Sequence, residues 1–225
     1  MIGRLVDRMA RCVSLGLLVV LSACDSPSAT RPAAAYDPTT LTGGLLYRWP
    51  SGKTVRVYVV PSVSSRFDLG TATRQAMVVW NAVSQFGEFT LETAPTLADA
   101  DLVVFDRDTP MPVRAGSCTF DARSASGYTY FCPDVTTPSR AERLQLSAGG
   151  LSAITVAIQL DRGRVASQDA LNAVVAHEFG HALGIGAHSD DARDLMFGLP
   201  TVSAPSARDR GTLRFVLGQR AQLTL

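Results

Sequence analysis

The sequence predicts an α+β domain, and three observations carry that reading. Short runs rich in β-branched residues lie at 54–60, 89–93, 100–105 and 154–160. Segments with apolar residues at helical spacing lie at 69–86, 168–183 and 206–218. A long aperiodic stretch, 106–147, separates the third strand from the fourth. The chain has 225 residues, 46% of them hydrophobic, enough for one core with an added tail. A net charge of +1 gives no pull toward nucleic acid, so no nucleic-acid partner is expected. No apolar run in the body of the chain reaches the roughly 18 residues that a spanning helix needs.

The N-terminus reads as an export signal. Arg4, Arg8 and Arg11 precede the apolar run 13–21, which is too short for a comfortable membrane span. Leu21-Ser22-Ala23-Cys24 follows and resembles the lipobox of bacterial lipoproteins. That resemblance implies a signal peptide over 1–23, cleavage before Cys24 and lipid on its thiol. The alternative is an ordinary signal peptide with an incidental cysteine. Either way the mature protein is exported, and the lipobox places it in a bacterial cell envelope, membrane-anchored and facing the periplasm or the exterior. Residues 24–43 are rich in Pro, Ser, Thr and Ala and read as a flexible tether. The folded domain is then expected over 44–225.

Within that domain, Thr54–Val60 is a β-branched strand bounded by Gly52 and Pro61. Residues 69–86 place Ala72, Ala76, Val79, Trp80 and Val83 on one helical stripe, so Trp80 reads as core. Phe89–Thr93 alternates in polarity. Ala100–Phe105 holds a continuous apolar run suited to a sheet covered on both faces. The aperiodic stretch carries Cys118 and Cys132. In an exported protein this even pair suits a disulfide, worth on the order of 3 kcal/mol by closing a loop; two buried free thiols are the alternative. Ile154–Leu160 is the fourth strand. Helix 168–183 has Ser167 as its N-cap and Asp169 at its positive end. The third helix opens at Ser206 and is ended by Gly218.

The chemistry lies in 177–190, HEFGHALGIGAHSD. His177 and His181 stand at i and i+4, on one helix face and roughly 6 Å apart, so they can share one ion. Glu178, beside His177, can reach a water on that ion. A catalytic zinc takes three protein ligands and keeps one position open. The chain's 3 histidines all fall in this stretch, which leaves His188 as the third imidazole. The longer zinc pattern, H-E-x-x-H-x-x-G-x-x-H, expects a ligand at 187, but Ala187 stands there. Two glycines could absorb the extra residue. If Gly184 ends the helix, Ile185-Gly186-Ala187 bulges before His188; if Gly186 turns the chain, His188 follows after one residue. His188 is favoured as third ligand, with Asp190 or Asp191 as rivals.

HEFGHALGIGAHS followed by Asp194-Leu195-Met196-Phe197 resembles the metzincin metallopeptidases, and among them the matrixins. The resemblance implies a twisted, mainly parallel sheet with an antiparallel edge strand, three helices and a zinc cleft. It makes Ser189 the residue that follows the third ligand and Met196 the methionine turn beneath the metal. It also implies peptide or protein substrates bound extended along an edge strand, and a specificity pocket around Gly198–Ser203. Phe197 departs from the usual tyrosine. No second set of histidines exists for a structural zinc, and no cysteine is left for a prodomain switch. Calcium would suit the many aspartates, but no EF-hand-like loop is present. The expected function is therefore zinc-dependent endopeptidase, as a monomer, with one catalytic zinc and Glu178 as general base. The alternatives are a metallohydrolase of cell-wall peptides and an idle binding lipoprotein that keeps the fold.

Overall fold

The computed structural model describes residues 33–62, 66–109, 125–133, 154–220 and 223–224. The signal segment 1–23, Cys24 and Cys118 lie outside these residues, and so does the expected Cys118–Cys132 disulfide.

In chain order the elements are β1 (Tyr47–Arg48), β2 (Lys53–Val59), α1 (Leu69–Asn81), β3 (Phe89–Thr93), β4 (Leu102–Asp106), β5 (Gly127–Pro133), β6 (Ile154–Leu160), α2 (Gln168–Ala182), α3 (Ala207–Gly218) and β7 (Leu223–Thr224). The main sheet has order β3-β2-β4-β6-β5. Its pairs are parallel except β5 with β6, which run antiparallel from Gly127 opposite Leu160 to Pro133 opposite Ile154. The short strands β1 and β7 pair apart from it.

The burial pattern explains the continuous apolar run in β4. Leu102 and Val104 enter the main core with the helices, while Val103 and Phe105 join Val60 and Ala157 in a second cluster on the opposite face. Both faces are covered, so no polar alternation is required. On the helix side Trp80 is fully buried, and its indole N–H donates to the Ala176 carbonyl at 2.7 Å. This one side chain fixes α1 against α2.

Two expectations need correction, the length of α1 and the free tether. Helix α1 ends at Asn81, short of 86. The Asn81 amide pairs with the Leu91 backbone through both of its polar atoms, and Ser84 Oγ donates to the Phe89 carbonyl. These bonds draw the chain directly into β3, with Gly87 turning at φ 72°. The aperiodic stretch supplies strand β5, the antiparallel edge that the family resemblance implied. The tether expected over 24–43 is docked on the domain from Ala35 onward. Ala35 N–H donates to Thr212 Oγ1, Tyr36 Oη to Asp209, and Leu41 N–H to the Gly186 carbonyl at 2.8 Å. Polar contacts rather than an apolar stripe hold this strap, which is why its composition reads as a linker.

Among the described residues no helix is long and apolar enough to cross a membrane.

Candidate metal centre

Helix α2 presents the centre. Ser167 Oγ caps its start by accepting from Ala170 N–H, and Asp169 sits in the positive first turn. From Leu171 to Ala182 every residue of the helix is buried, so it is a core element rather than a surface one. Its end is held from outside: Tyr47 Oη donates to the His181 carbonyl and Trp49 Nε1 to the Ala182 carbonyl, each at 2.9 Å. Trp49 satisfies a carbonyl that the helix terminus leaves open, and Tyr47 adds a second donor to one that also accepts from Gly184 N–H.

The chain then turns at Gly184, φ 119°, a conformation that side chains rarely adopt. The route through Gly184 is therefore the one taken, and Ile185-Gly186-Ala187 forms the extra loop before His188. Gly186 has no positive φ; its role is close approach. A Cβ there would press on Thr42 and on the Pro38 carbonyl, 2.9 Å away, both in the docked strap. The added residue, Ala187, is fully buried.

This path brings His177, His181 and His188 together, with ligand nitrogens all within 4.8 Å of one another. Ring centroids are 4.7 Å apart for the helical pair and 5.2 Å from each to His188. His177 Nδ1 lies 2.8 Å from the Leu195 carbonyl, and His181 Nδ1 2.7 Å from the Ile185 carbonyl. A carbonyl can only accept, so each Nδ1 carries its ring's proton and each Nε2 presents a lone pair. The two Nε2 atoms are 3.1 Å apart. Two lone pairs at that distance have no proton to share, and a cation between them resolves the contact. The donor set fits zinc: three imidazoles, two of them oriented by carbonyls behind them.

Burial lowers His177 to about 4, against the opposing effect of the Leu195 carbonyl. His181 is driven well below the ordinary imidazole range by burial and then by His177, and burial lowers His188 as well. The neutral form that a metal needs is thus favoured. Glu178 is buried, and desolvation pushes its carboxyl up to about 7, partly offset by a hydrogen bond from Thr129.

The rival aspartates lie elsewhere. Asp190 accepts from Arg208 and Asp191 from Arg193, each at 2.6 Å, and neither belongs to the ligand cluster.

Met196 is fully buried beneath α2, and a Cβ on Gly180 would overlap its sulfur and the Trp80 ring. So the second free position of H-E-x-x-H is glycine here for a steric reason. The turn around Met196 rests on two carboxylates that sequence reasoning gave no role. Asp209 accepts from the Leu195, Met196 and Ser206 backbone N–H groups and from Tyr36 Oη. Asp194 accepts from Ser189 Oγ, Ser206 Oγ and Arg208. Ser189 N–H donates to the Met196 carbonyl at 2.7 Å, tying the His188 loop to this turn. The visible signal was Ser206-Ala207-Arg208-Asp209: it forms a capping box at the start of α3.

The family model described as Matrixin matches residues 49–209. The chain belongs to the matrixin family. Zinc metallopeptidase chemistry comes with that membership, and the three imidazoles of this matrixin could hold the ion. Comparison with curated proteins gives no match.

Proposed function

We propose that this matrixin is an exported zinc endopeptidase in which His177, His181 and His188 hold the ion and Glu178 is the general base. The observation that carries the proposal is the pair of Nε2 lone pairs 3.1 Å apart on the helix that also bears a buried carboxyl raised to about 7. Bound there, zinc supplies Lewis acidity, making water acidic enough to attack near neutral pH and polarising a carbonyl.

Glu178 takes the proton from the attacking water and passes it to the leaving amine. A carboxyl that titrates near neutrality suits both transfers. The imidazoles stay neutral, His177 and His181 each held by a backbone carbonyl. An extended peptide would add to the edge strand β5, which lies beside α2 and carries the Thr129 contact to Glu178. Residues 198–203 would wall the pocket for one substrate side chain.

The test is metal content by elemental analysis together with peptide cleavage, in wild type and Glu178→Ala. About one zinc per chain is expected in both, with cleavage lower in the variant by roughly 10²–10⁴-fold. Folded wild type without zinc would sink the proposal. Zinc with no peptide cleaved would indicate an idle binder.

Lipid anchoring through Cys24 in a bacterial envelope is a separate part of the proposal and rests on the sequence Leu21-Ser22-Ala23-Cys24. Labelled palmitate should enter the wild type and be absent from Cys24→Ser; equal labelling would refute it.

A further inference from the structure

Strand β5 reaches the general base as well as the sheet. Two of its inward-facing positions, Gly127 and Thr129, meet Glu178. At 127 there is no room for a side chain: a Cβ would come within 2.8 Å of Glu178 Cγ and Oε1, and within 2.7 Å of Val174 Cγ1. At 129 the hydroxyl lies 2.7 Å from Glu178 Oε2 and 3.0 Å from the Glu178 backbone carbonyl. Absence of a side chain at one position and a hydroxyl at the next inward one shape this stretch of strand around one carboxylate.

We infer that Thr129 is a positioning residue for Glu178, its hydroxyl fixing the rotation of the carboxylate. This deepens the peptidase reading and rests on it. A threonine hydroxyl has one proton and lone pairs to spare. While Glu178 is ionised, Thr129 donates to Oε2, a charge-assisted bond that fixes the carboxylate's rotation. Valine at 129 would keep the β-branched shape and lose the hydroxyl; serine would keep it.

The experiment has two arms on the full chain. In the metal-free protein at alkaline pH, infrared difference spectra against Glu178→Gln isolate the Glu178 carboxylate stretch. Thr129→Val should shift that band and Thr129→Ser should leave it in place. In the zinc-loaded protein, Thr129→Val should lower kcat by roughly 10- to 100-fold with KM and zinc content unchanged, as a small misplacement of a reacting group does. Thr129→Ser should restore kcat. A threonine that merely satisfied itself on the helix carbonyl would leave the band unmoved by valine, and that result overturns the inference. So does a wild-type kcat in the valine variant, or an equal loss in serine and valine. If valine prevents folding, Thr129→Cys, a much weaker donor, is read by the same band. A shifted band in a chain whose wild type cleaves nothing would uphold the contact and refute the peptidase reading.

Discussion

His177 and His181 owe their positions to one helix; His188 owes its position to the nearby Met196 turn and to two segments distant in sequence. The helical pair needs only the i, i+4 spacing, with the Leu195 and Ile185 carbonyls aiming the rings. The loop that carries His188 is pinned by the Met196 carbonyl at Ser189 and by Leu41 at Gly186, and the turn behind it hangs on Asp209. One side of the centre is set by local geometry and the other by long-range polar contacts. The two sides should therefore fail in different ways.

The largest effect should come from the loop side. Asp209→Ala strips the partner from three backbone N–H groups and the Tyr36 hydroxyl around a fully buried site. Urea unfolding should show a loss of about 3 kcal/mol or more, since each orphaned donor costs about 1–3 kcal/mol. Asp209→Asn, which keeps an accepting oxygen, should recover part of it. An unchanged unfolding midpoint in the alanine variant would break the comparison.

On the helix side, Gly180→Ala would ordinarily favour a helix by up to about 1 kcal/mol. Here the added methyl meets Met196 and Trp80, so thermal denaturation should instead show a loss of about 1–3 kcal/mol. A raised Tm would mean that the packing beneath the zinc helix yields easily.

The smallest effect concerns protons. A folded His177 near 4 lies below its unfolded value of 6.5, so its neutral form adds stability above pH 6.5 that is lost as pH falls toward 4. Glu178, raised from 4.5 to about 7, works in the opposite sense: its contribution is complete at acid pH and fades as pH rises through 7. For zinc the histidines decide. Occupancy followed by a chelator titration should stay level below pH 6.5, and His188, the exposed member, should take up a proton before the buried pair. Zinc lost with a midpoint at an ordinary histidine value would remove the role given to burial.

The same division governs what could be read from the sequence. The zinc helix was legible, cap included, because one period places both imidazoles and Ser167 stands where a cap belongs. The parallel strands were legible from their β-branched runs. Strand β5 was not, because two of its inward positions, Gly127 and Thr129, are fitted to a carboxylate and leave Phe131 as the apolar one, while Tyr128 and Tyr130 stack at 4.6 Å on the other face. Its inward face thus shows one apolar residue in three, too few for a visible alternation. The choice between His188 and an aspartate stayed open because the arginines that occupy Asp190 and Asp191 include one from α3, beyond any local pattern. The strap at 35–42 was missed because hydrogen bonds to α3 and to Gly186 leave no signature in composition.

That strap has a practical consequence for anyone preparing the enzyme. The region of family likeness begins at 49, and a truncation cut to that edge would discard Tyr36 and Leu41 together with the helix-end clamp Tyr47. Such a fragment would retain every zinc-binding and proton-transferring side chain and still lose the props beneath the third ligand. The useful boundary for expression lies upstream of Ala35, well before homology alone would place it.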